Sequence, residues 1–432
     1  MDVRTFPVLT DEDEALVSRL SIGLGENAAR VLAYLLCRLA DPELADAATR
    51  TAVHIGAGVT KNAATDALAT LVAADLIAET TATTTAPGRP PKAWYAVAPR
   101  SETIRRTDAH HADRLLEQGL RYATDWESSS AGTASSTGAS DRAVPDRSTL
   151  EGASLALNWQ PNALHLPLFA TRTTDVGGGS ISIEEYDGSR AATEAVASGA
   201  CEIGVAGAAT ILRERERRRP IVPLAVLFQR SLVVLYTTRT AFGGPFETVE
   251  QLRGRRVGMP DGTETGLLGR LLLEQAGIRE SVDLVDVDGE ERDALRSGAV
   301  DAVTGMAPDP ERLETADRSV DEVAVADGYP AYGPALIVRA DVLRRQRSRL
   351  VALLAATTGG WANAVRDPAA VANDLADEMD GSPERIGRTF ERVTDRFATS
   401  DAVRRRGWGW HSPTEWRNLR DALAQGGLLP GE

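Results

Sequence analysis

The chain has 432 residues, with 62 acidic and 48 basic side chains and a formal net charge of −14. Its hydrophobic fraction of 43% and charged fraction of 25% are ordinary for globular proteins, which excludes a mainly disordered or collagen-like chain. No apolar run reaches the roughly 18 residues that would span a bilayer, and no signal peptide is readable. We therefore expect a cytoplasmic protein that makes no membrane contact.

The basic side chains are almost all arginine. Only Lys61 and Lys92 are lysine. An acidic chain with so little lysine is typical of a halophilic host, because a carboxylate-rich surface stays hydrated in concentrated salt. The two cysteines, Cys37 and Cys201, have neither metal-ligand spacing nor a disulfide framework, so we expect no metal and no cofactor.

The first hundred residues carry the pattern of three short helices followed by a hairpin. Apolar spacing and turn residues predict these segments at 26–39, 42–53, 61–73, 76–80 and 94–97. Thr60 is the expected N-cap of the third helix. This order predicts an N-terminal winged helix-turn-helix over residues 1–100.

This segment resembles the DNA-binding domains of archaeal one-component regulators over about residues 15–100. Residues 50–100 carry five basic and three acidic side chains, a local excess of +2 in a chain of −14. Phosphate contacts need cations, and base edges need short polar groups near the start of the recognition helix. The predicted DNA-binding residues are Arg50, Thr60, Lys61, Asn62, Thr65, Arg89 and Lys92. The alternative is a protein-protein module in which these side chains are only solvated.

A connecting helix and a linker follow. Residues 101–126 predict one helix, which we expect to dimerise the module and to expose the adjacent His110 and His111. Residues 127–149 are rich in Ser, Gly and Ala, and residues 128–148 contain one Val and no Leu, Ile or aromatic residue. This composition predicts a flexible linker.

From residue 150 strand-like runs alternate with helical stretches, which predicts an α/β domain over 150–432. Four segments in order resemble the solute-binding family related to thiamine-pyrimidine precursors, the NMT1/THI5-like and SsuA-like proteins. They are 158–165 (NWQPNALH), 197–205 (ASGACEIGV), 252–258 (LRGRRVG) and 407–416 (GWGWHSPTEW) with 425–429 (QGGLL). The resemblance implies a two-lobed, type II periplasmic-binding-protein-like clamshell. Lobe one would hold 153–236 and 335–432, and lobe two 237–334.

The resemblance places the ligand in the cleft between these lobes. Trp159 offers a flat face for a heteroaromatic ring, and Asn162 and His165 offer hydrogen bonds to it. Thr263, Glu264 and Thr265 would open a helix whose free N–H groups suit a polar or anionic group. The ring of Tyr332 is expected to stack opposite Trp159. The alternatives are a core role for Trp159, a structural role for His165 and an ordinary helix cap at 263–265.

One departure from the family pattern concerns the identity of the ligand. Pyrimidine binders carry S-Y-Q-E-S where this chain has Ala206–Thr210, so sulfonate and nitrate stay open as ligands. The arginine-rich run 213–219 could suggest an anion site, but a solvated surface is the expected role of these side chains.

We interpret the chain as a one-component regulator that works as a homodimer, binds DNA and senses a small metabolite. A thiamine-pathway pyrimidine precursor is the expected metabolite. The alternatives are an ABC-transporter-type solute-binding protein, a degenerate sensor that binds only protein partners, and a pyrimidine-forming enzyme. No catalysis is expected, because two distant cysteines cannot supply the iron motif of that enzyme.

Overall fold

The computed structural model describes residues 8–41, 44, 46–82, 89–129, 147–174, 181–314, 319–379 and 381–430. The tip of the predicted wing (83–88) and residues 130–146 of the predicted linker lie outside these ranges. None of the helices within them is long and apolar enough to cross a membrane.

Within the described ranges the N-terminal module contains four α-helices and three short strands, and its last two strands follow the last helix. Its elements are α1 (Glu14–Leu24), α2 (Glu26–Ala40), β1 (Ala48–Thr49), α3 (Arg50–Gly56), α4 (Lys61–Ala73), β2 (Ile77–Thr81) and β3 (Lys92–Ala96). The three strands are antiparallel in the order β1-β3-β2. The core of the module lies between α2, α3 and α4, where Tyr34 is buried. A Cβ on Gly56 would lie 2.1 Å from the Tyr34 ring, so this glycine allows α3 to approach α2.

Two local boundaries in this module have clear causes. The predicted cap of α4 is present, because Thr60 Oγ1 accepts a hydrogen bond from Ala63 N at 3.2 Å. The second predicted helix, 42–53, was wrong in its limits. Thr49 Oγ1 accepts from Ala52 N at 3.3 Å, so α3 begins at Arg50 and a short strand precedes it. Helix α1 was not predicted.

A 30-residue helix, α5 (Arg100–Ser129), joins the N-terminal module to the rest of the chain. It packs against α1 on one side and against the C-terminal part on the other. His111 is fully buried, and its Nε2 lies 2.6 Å from the Trp408 carbonyl oxygen. The expectation that His111 is exposed was therefore wrong, because this face of α5 is covered by the C-terminal part. The apolar side chains Leu115 and Leu116 are covered within the same chain, so they are not free to form a dimer.

The C-terminal part alternates strands and helices and then ends in helices. In chain order its elements are β4 (Ser154–Leu157), α6 (Leu166–Ala170), β5 (Ser182–Glu185), α7 (Gly188–Ser198), β6 (Ile203–Ala206), α8 (Ala208–Glu216), β7 (Ile221–Val226), β8 (Val233–Thr238), α9 (Arg239–Phe242), β9 (Arg256–Gly258), α10 (Glu264–Gln275), β10 (Asp283–Val285), α11 (Glu291–Arg296), β11 (Ala302–Met306), β12 (Val320–Ala324), α12 (Val325–Gly328), β13 (Ala335–Arg339), α13 (Ala340–Arg345), α14 (Arg347–Arg366), α15 (Pro368–Asp374), α16 (Pro383–Phe397), α17 (Asp401–Arg406) and α18 (Pro413–Gln425).

These strands form two separate five-stranded sheets. The first, in the order β5-β4-β6-β13-β7, defines lobe one, and the second, β10-β9-β11-β8-β12, defines lobe two. In lobe one β4 runs parallel to β5 and β6, whereas β13 is antiparallel to β6 and β7. In lobe two β9 runs parallel to β10 and β11, whereas β8 is antiparallel to β11 and β12.

Two chain segments, 227–232 and 331–334, connect the lobes and lie side by side. Leu227 N donates to Pro334 O at 2.8 Å, and Gly333 N donates to Phe228 O at 3.0 Å. The predicted lobe boundary between residues 236 and 237 is displaced, because β8 pairs entirely within the second sheet. Paired crossovers of this kind are the natural position for a hinge.

The C-terminal helices return to lobe one and fix it with aromatic side chains. Trp408 and Trp416 are buried, and Trp408 stacks on Trp361 with ring centroids 5.2 Å apart. Trp416 Nε1 donates to His411 Nδ1 at 3.1 Å. Trp408 N donates to Ile22 O in α1 at 2.7 Å, so this segment also contacts the N-terminal module.

Candidate functional site

The carboxyl ends of the parallel strands meet at one edge of each sheet. In lobe one β4 is followed by Asn158 and Trp159, and its neighbour β6 is followed by Gly207 and α8. In lobe two β9 leads through a loop into α10. Open α/β sheets bind ligands outside the carboxyl ends of their strands. The candidate site therefore lies where these two edges face each other.

Trp159 is the aromatic side chain at this edge that solvent reaches. Its exposed fraction is 51%, which is high for a tryptophan and leaves a face free for stacking. Asn162, three residues on, is engaged within its own turn. Its Oδ1 accepts from Leu164 N at 3.0 Å and its Nδ2 donates to Gln160 O at 2.9 Å. The predicted ligand contact of Asn162 would require these bonds to be exchanged.

His165 is buried behind the loop that carries Trp159. Its Nε2 donates to Asn158 Oδ1 at 3.1 Å, and Asn158 Nδ2 donates to Ser189 Oγ at 3.2 Å. Ser189 Oγ also accepts from Gly207 N at 3.0 Å. Burial lowers the pKa of His165 to about 4, so the imidazole is neutral near pH 7. His165 thus positions Asn158 in this chain of hydrogen bonds and does not open onto the cleft.

Thr263 and Thr265 build the start of α10. Thr263 Oγ1 accepts from Gly266 N at 3.1 Å and donates to Pro260 O at 3.0 Å. The hydroxyl oxygens of Thr263 and Thr265 lie 3.0 Å apart. The two residues therefore act in this structure as a helix cap, which was the alternative to ligand binding.

Glu264, the first residue of α10, reaches across to the other lobe. Its Oε1 accepts from Ala209 N at 3.0 Å, and its Oε2 accepts from Thr210 N at 2.8 Å and from Thr210 Oγ1 at 2.7 Å. Burial raises the pKa of the Glu264 carboxyl, although the Thr210 hydroxyl and the two amides oppose the shift. The predicted ligand-binding residue is thus bonded to the first turn of α8.

The residues that receive Glu264 were not predicted as site residues. They belong to the segment Ala206–Thr210, where the side chains typical of pyrimidine binders are absent. Two backbone N–H groups of α8 supply two of the three bonds and the Thr210 hydroxyl supplies the third, so no side-chain motif marks the contact in the sequence. The glycine before the helix, Gly207, was the available signal.

Tyr332 lies in the second crossover and is 5% exposed. Its hydroxyl oxygen accepts from Ser412 N at 2.9 Å, and its ring centroid lies 5.4 Å from that of Trp416. Burial raises the pKa of its hydroxyl well above the usual range. The expectation that Tyr332 stacks opposite Trp159 fails, because its ring is part of the C-terminal packing.

The arginine-rich run after α8 is divided between surface and core. Arg217, Arg218 and Arg219 are exposed and line an open depression of about 510 Å³. Glu214 and Glu194 pair with two of them, with Arg217 at 2.6 Å and Arg219 at 3.1 Å. Arg215 is instead buried beside the ring of Tyr122 in α5. The prediction of a solvated surface therefore holds for the end of the run only.

The residues predicted to bind DNA all lie on the surface of the N-terminal module. All seven side chains are exposed: Arg50, Thr60, Lys61, Asn62, Thr65, Arg89 and Lys92. Four of them sit at the start of α4 or cap it. Lys92 on β3 is paired with Glu79 on β2, with Nζ and Oε1 2.8 Å apart. Within the described ranges no group of three or more His, Cys, Asp or Glu side chains is arranged to hold a metal ion.

Two sheets, paired crossovers and a site between facing sheet edges define the class of this C-terminal part: it has the two-lobed solute-binding-protein fold. Residues 178–371 match the family model described as NMT1/THI5 like. No curated protein matches the chain.

Solved structures of sulfonate-binding proteins share this fold. The alkanesulfonate-binding protein SsuA from Xanthomonas axonopodis pv. citri, bound to MOPS, is 17% identical with a TM-score of 0.51, covering 65% of this chain and 96% of its own. The periplasmic aliphatic sulphonate binding protein SsuA from Escherichia coli is 16% identical with a TM-score of 0.51, covering 65% of this chain and 94% of its own.

Proposed function

We propose that the C-terminal part binds a small solute between its two lobes. The observation that carries this proposal is the position of Trp159, a half-exposed aromatic ring at the carboxyl edge of β4, where a solute-binding fold receives its ligand. The neighbouring donors at the start of α8 add a polar wall to the same edge. A ligand with both a flat or apolar part and an oxygen-rich part fits these two features.

Two ligand classes are favoured by different observations. The similarity to the NMT1/THI5 like model favours a pyrimidine, which would stack on Trp159. The similarity in fold to proteins named for sulfonate binding favours an alkanesulfonate. Neither class requires a metal or a catalytic group, so the function proposed is binding.

Thermal unfolding of the full chain in high salt tests the proposal. The panel is aminopyrimidines, thiamine and its phosphates, taurine, alkanesulfonates and nitrate. A ligand at 100 times its dissociation constant adds about 2.7 kcal/mol, so its melting shift is easily seen. We expect a shift with one class that is lost in Trp159→Ala and kept in Trp94→Ala, a tryptophan of the N-terminal module. No shift with any compound would contradict solute binding by these classes.

We further propose that the N-terminal module is a winged helix that binds DNA, which makes the chain a one-component regulator. The order of its elements supports this proposal, because β1 precedes the pair α3 and α4, the hairpin β2–β3 follows α4, and the three strands form one antiparallel sheet. The exposed polar start of α4, with Lys61, Asn62 and Thr65, suits contacts to phosphates and base edges. A transport-type solute-binding protein fits the comparisons at least as well, but that function leaves the module without a role.

Selection of bound fragments from a random DNA pool at molar salt separates these two functions. High salt suppresses the non-specific binding that almost any basic patch shows. A regulator enriches a sequence motif. Lys61→Ala should then weaken DNA binding and reduce the slope of log K against log salt concentration by about 0.9, the value for one lost phosphate contact. Thr70→Ala, at the exposed far end of the same helix, is the control that we expect to bind normally. Absence of any enriched motif would favour the transport-type function.

A further inference from the structure

The contact of Glu264 with α8 joins the two lobes at their facing edges. Glu264 begins α10 in lobe two, whereas Ala209 and Thr210 belong to the first turn of α8 in lobe one. The first N–H groups of a helix have no partner within the helix. Glu264 supplies acceptors for two of them and for the Thr210 hydroxyl.

The chain leaves space for this carboxylate at one position, Gly207. A Cβ on Gly207 would lie 2.2 Å from Glu264 Cδ and 2.5 Å from its Oε2. The backbone of Gly207 has φ −67° and ψ 149°, which any residue adopts. Glycine is therefore required here by the approach of the carboxylate and not by the backbone.

A second bond crosses between the lobes beside the first. Arg213 Nη1 donates to Gly262 O, in the loop before α10, at 3.2 Å. Among the described residues no cation pairs with the Glu264 carboxylate itself. The positive end of the α8 dipole and three hydrogen bonds oppose the cost of burying this carboxylate.

We propose that Glu264 is a latch that holds lobe two against lobe one. The carboxylate covers the polar donors of α8, so a solute that uses them must first displace Glu264. This consequence rests on the proposed solute binding. The latch itself concerns only the two lobes and does not depend on DNA binding.

Residue-resolved hydrogen exchange of the full chain, without solute or DNA, tests the latch. The amides of Ala209 and Thr210 owe their bonds to Glu264, so their exchange reports the contact directly. We expect exchange at both amides to accelerate by about tenfold or more in Glu264→Ala, the factor that corresponds to one lost hydrogen bond. The radius of gyration from small-angle scattering should rise in the same variant as the lobes separate.

Gly207→Ala provides an independent variant, because it expels the carboxylate without changing Glu264. We expect the same acceleration and the same expansion. Glu274→Ala, at an exposed position of α10, and Gly244→Ala, where a Cβ meets nothing within 4 Å, are the matched controls. Both should behave as the unmodified protein. Unchanged exchange and unchanged dimensions in Glu264→Ala or in a folded Gly207→Ala would overturn the latch, whatever the outcome of the solute panel.

Discussion

The junction between the N-terminal module and lobe one contains an enclosed ion pair whose removal has a calculable cost. Arg19 in α1 donates through Nη1 to Asp108 Oδ1 in α5 at 2.9 Å, and a second bond joins Nη2 to Oδ2. The side chains are only 14% and 6% exposed. A Cβ on Gly359 of α14 would lie 3.9 Å from Asp108, so the pair sits where the module, α5 and lobe one meet.

Arg19→Met leaves the Asp108 carboxylate enclosed without its cation. Breaking a buried pair from one side costs about 3–5 kcal/mol of the free energy of unfolding, whereas replacing both partners costs much less. We therefore expect a loss of about 3 kcal/mol or more in Arg19→Met and a smaller loss in the double variant with Asp108→Ala. Denaturant unfolding of the full chain measures both, and the double-mutant cycle gives the coupling.

The exposed pair of Arg105 with Glu102 on α5 is the matched control. Pairs of this kind contribute about 0–1 kcal/mol, so Arg105→Met should change stability little. If Arg19→Met lowers the free energy of unfolding no more than Arg105→Met does, the ion pair does not stabilise the junction between the module and lobe one.

The pH dependence of the Arg19→Met loss provides a second check on the same pair. Burial raises the pKa of Asp108 in the folded protein, although Arg19 lowers it. A raised carboxyl pKa means that the folded state prefers the protonated form. Stability in Arg19→Met should therefore recover as the pH falls through the folded pKa towards the unfolded value of about 3.9.

Three further variants test other parts of the account. Without solute, Trp159→Ala should lower the free energy of unfolding by clearly less than Trp408→Ala does, because half of the Trp159 side chain is already exposed; a loss as large as that of Trp408→Ala would identify a packing role. Trp408→Ala should cost about 3–5 kcal/mol in denaturant unfolding, since the buried ring stacks on Trp361; a loss below about 1 kcal/mol would contradict that packing. Burial lowers the pKa of His111 to about 3, so its contribution to stability is complete above about pH 6.5 and is lost as the pH falls towards 3. Melting temperatures measured across this range should fall less steeply in His111→Gln, and parallel curves would show that His111 does not titrate as expected.

Local signals in the sequence predicted much of the fold. The apolar spacing and the Thr60 cap predict α4 over the residues where it occurs, and the alternation of strands and helices predicts the α/β organisation of residues 150–432. Strand β12 has no such signal, because Val320–Ala324 places two acidic residues side by side without a period-two pattern, and it pairs with β8 on one edge only. Its identity as a strand depends on β8, which is distant in the sequence.

The candidate site was less accessible to sequence reasoning, because its contacts join distant segments. Trp159 lies where the motif predicts it, at the strand edge. His165 and Tyr332 were assigned to the cleft by side-chain type, but packing of the whole lobe buries both. Two of the three donors to Glu264 are backbone amides, which no residue type reveals, and the third is the Thr210 hydroxyl.

The structure also changes how a signal could pass between the two parts. A flexible linker over 127–149 would weaken any rigid coupling of the two parts, but α5 docks the module directly on lobe one. We therefore expect the module to move with lobe one, and the hinge to lie in the paired crossovers 227–232 and 331–334. A solute can alter DNA binding only by its different affinity for the two arrangements of the chain.

Reciprocal binding of solute and DNA tests the central claim that one chain senses a solute and regulates DNA binding. The dissociation constant of the compound that raises the melting temperature is measured by calorimetry, with and without the selected DNA, at fixed salt. We predict that bound DNA changes the dissociation constant of the compound by about 5–150-fold. The compound should change the dissociation constant of the DNA by the same factor. Identical dissociation constants in both titrations would contradict it, since the two parts would then bind independently.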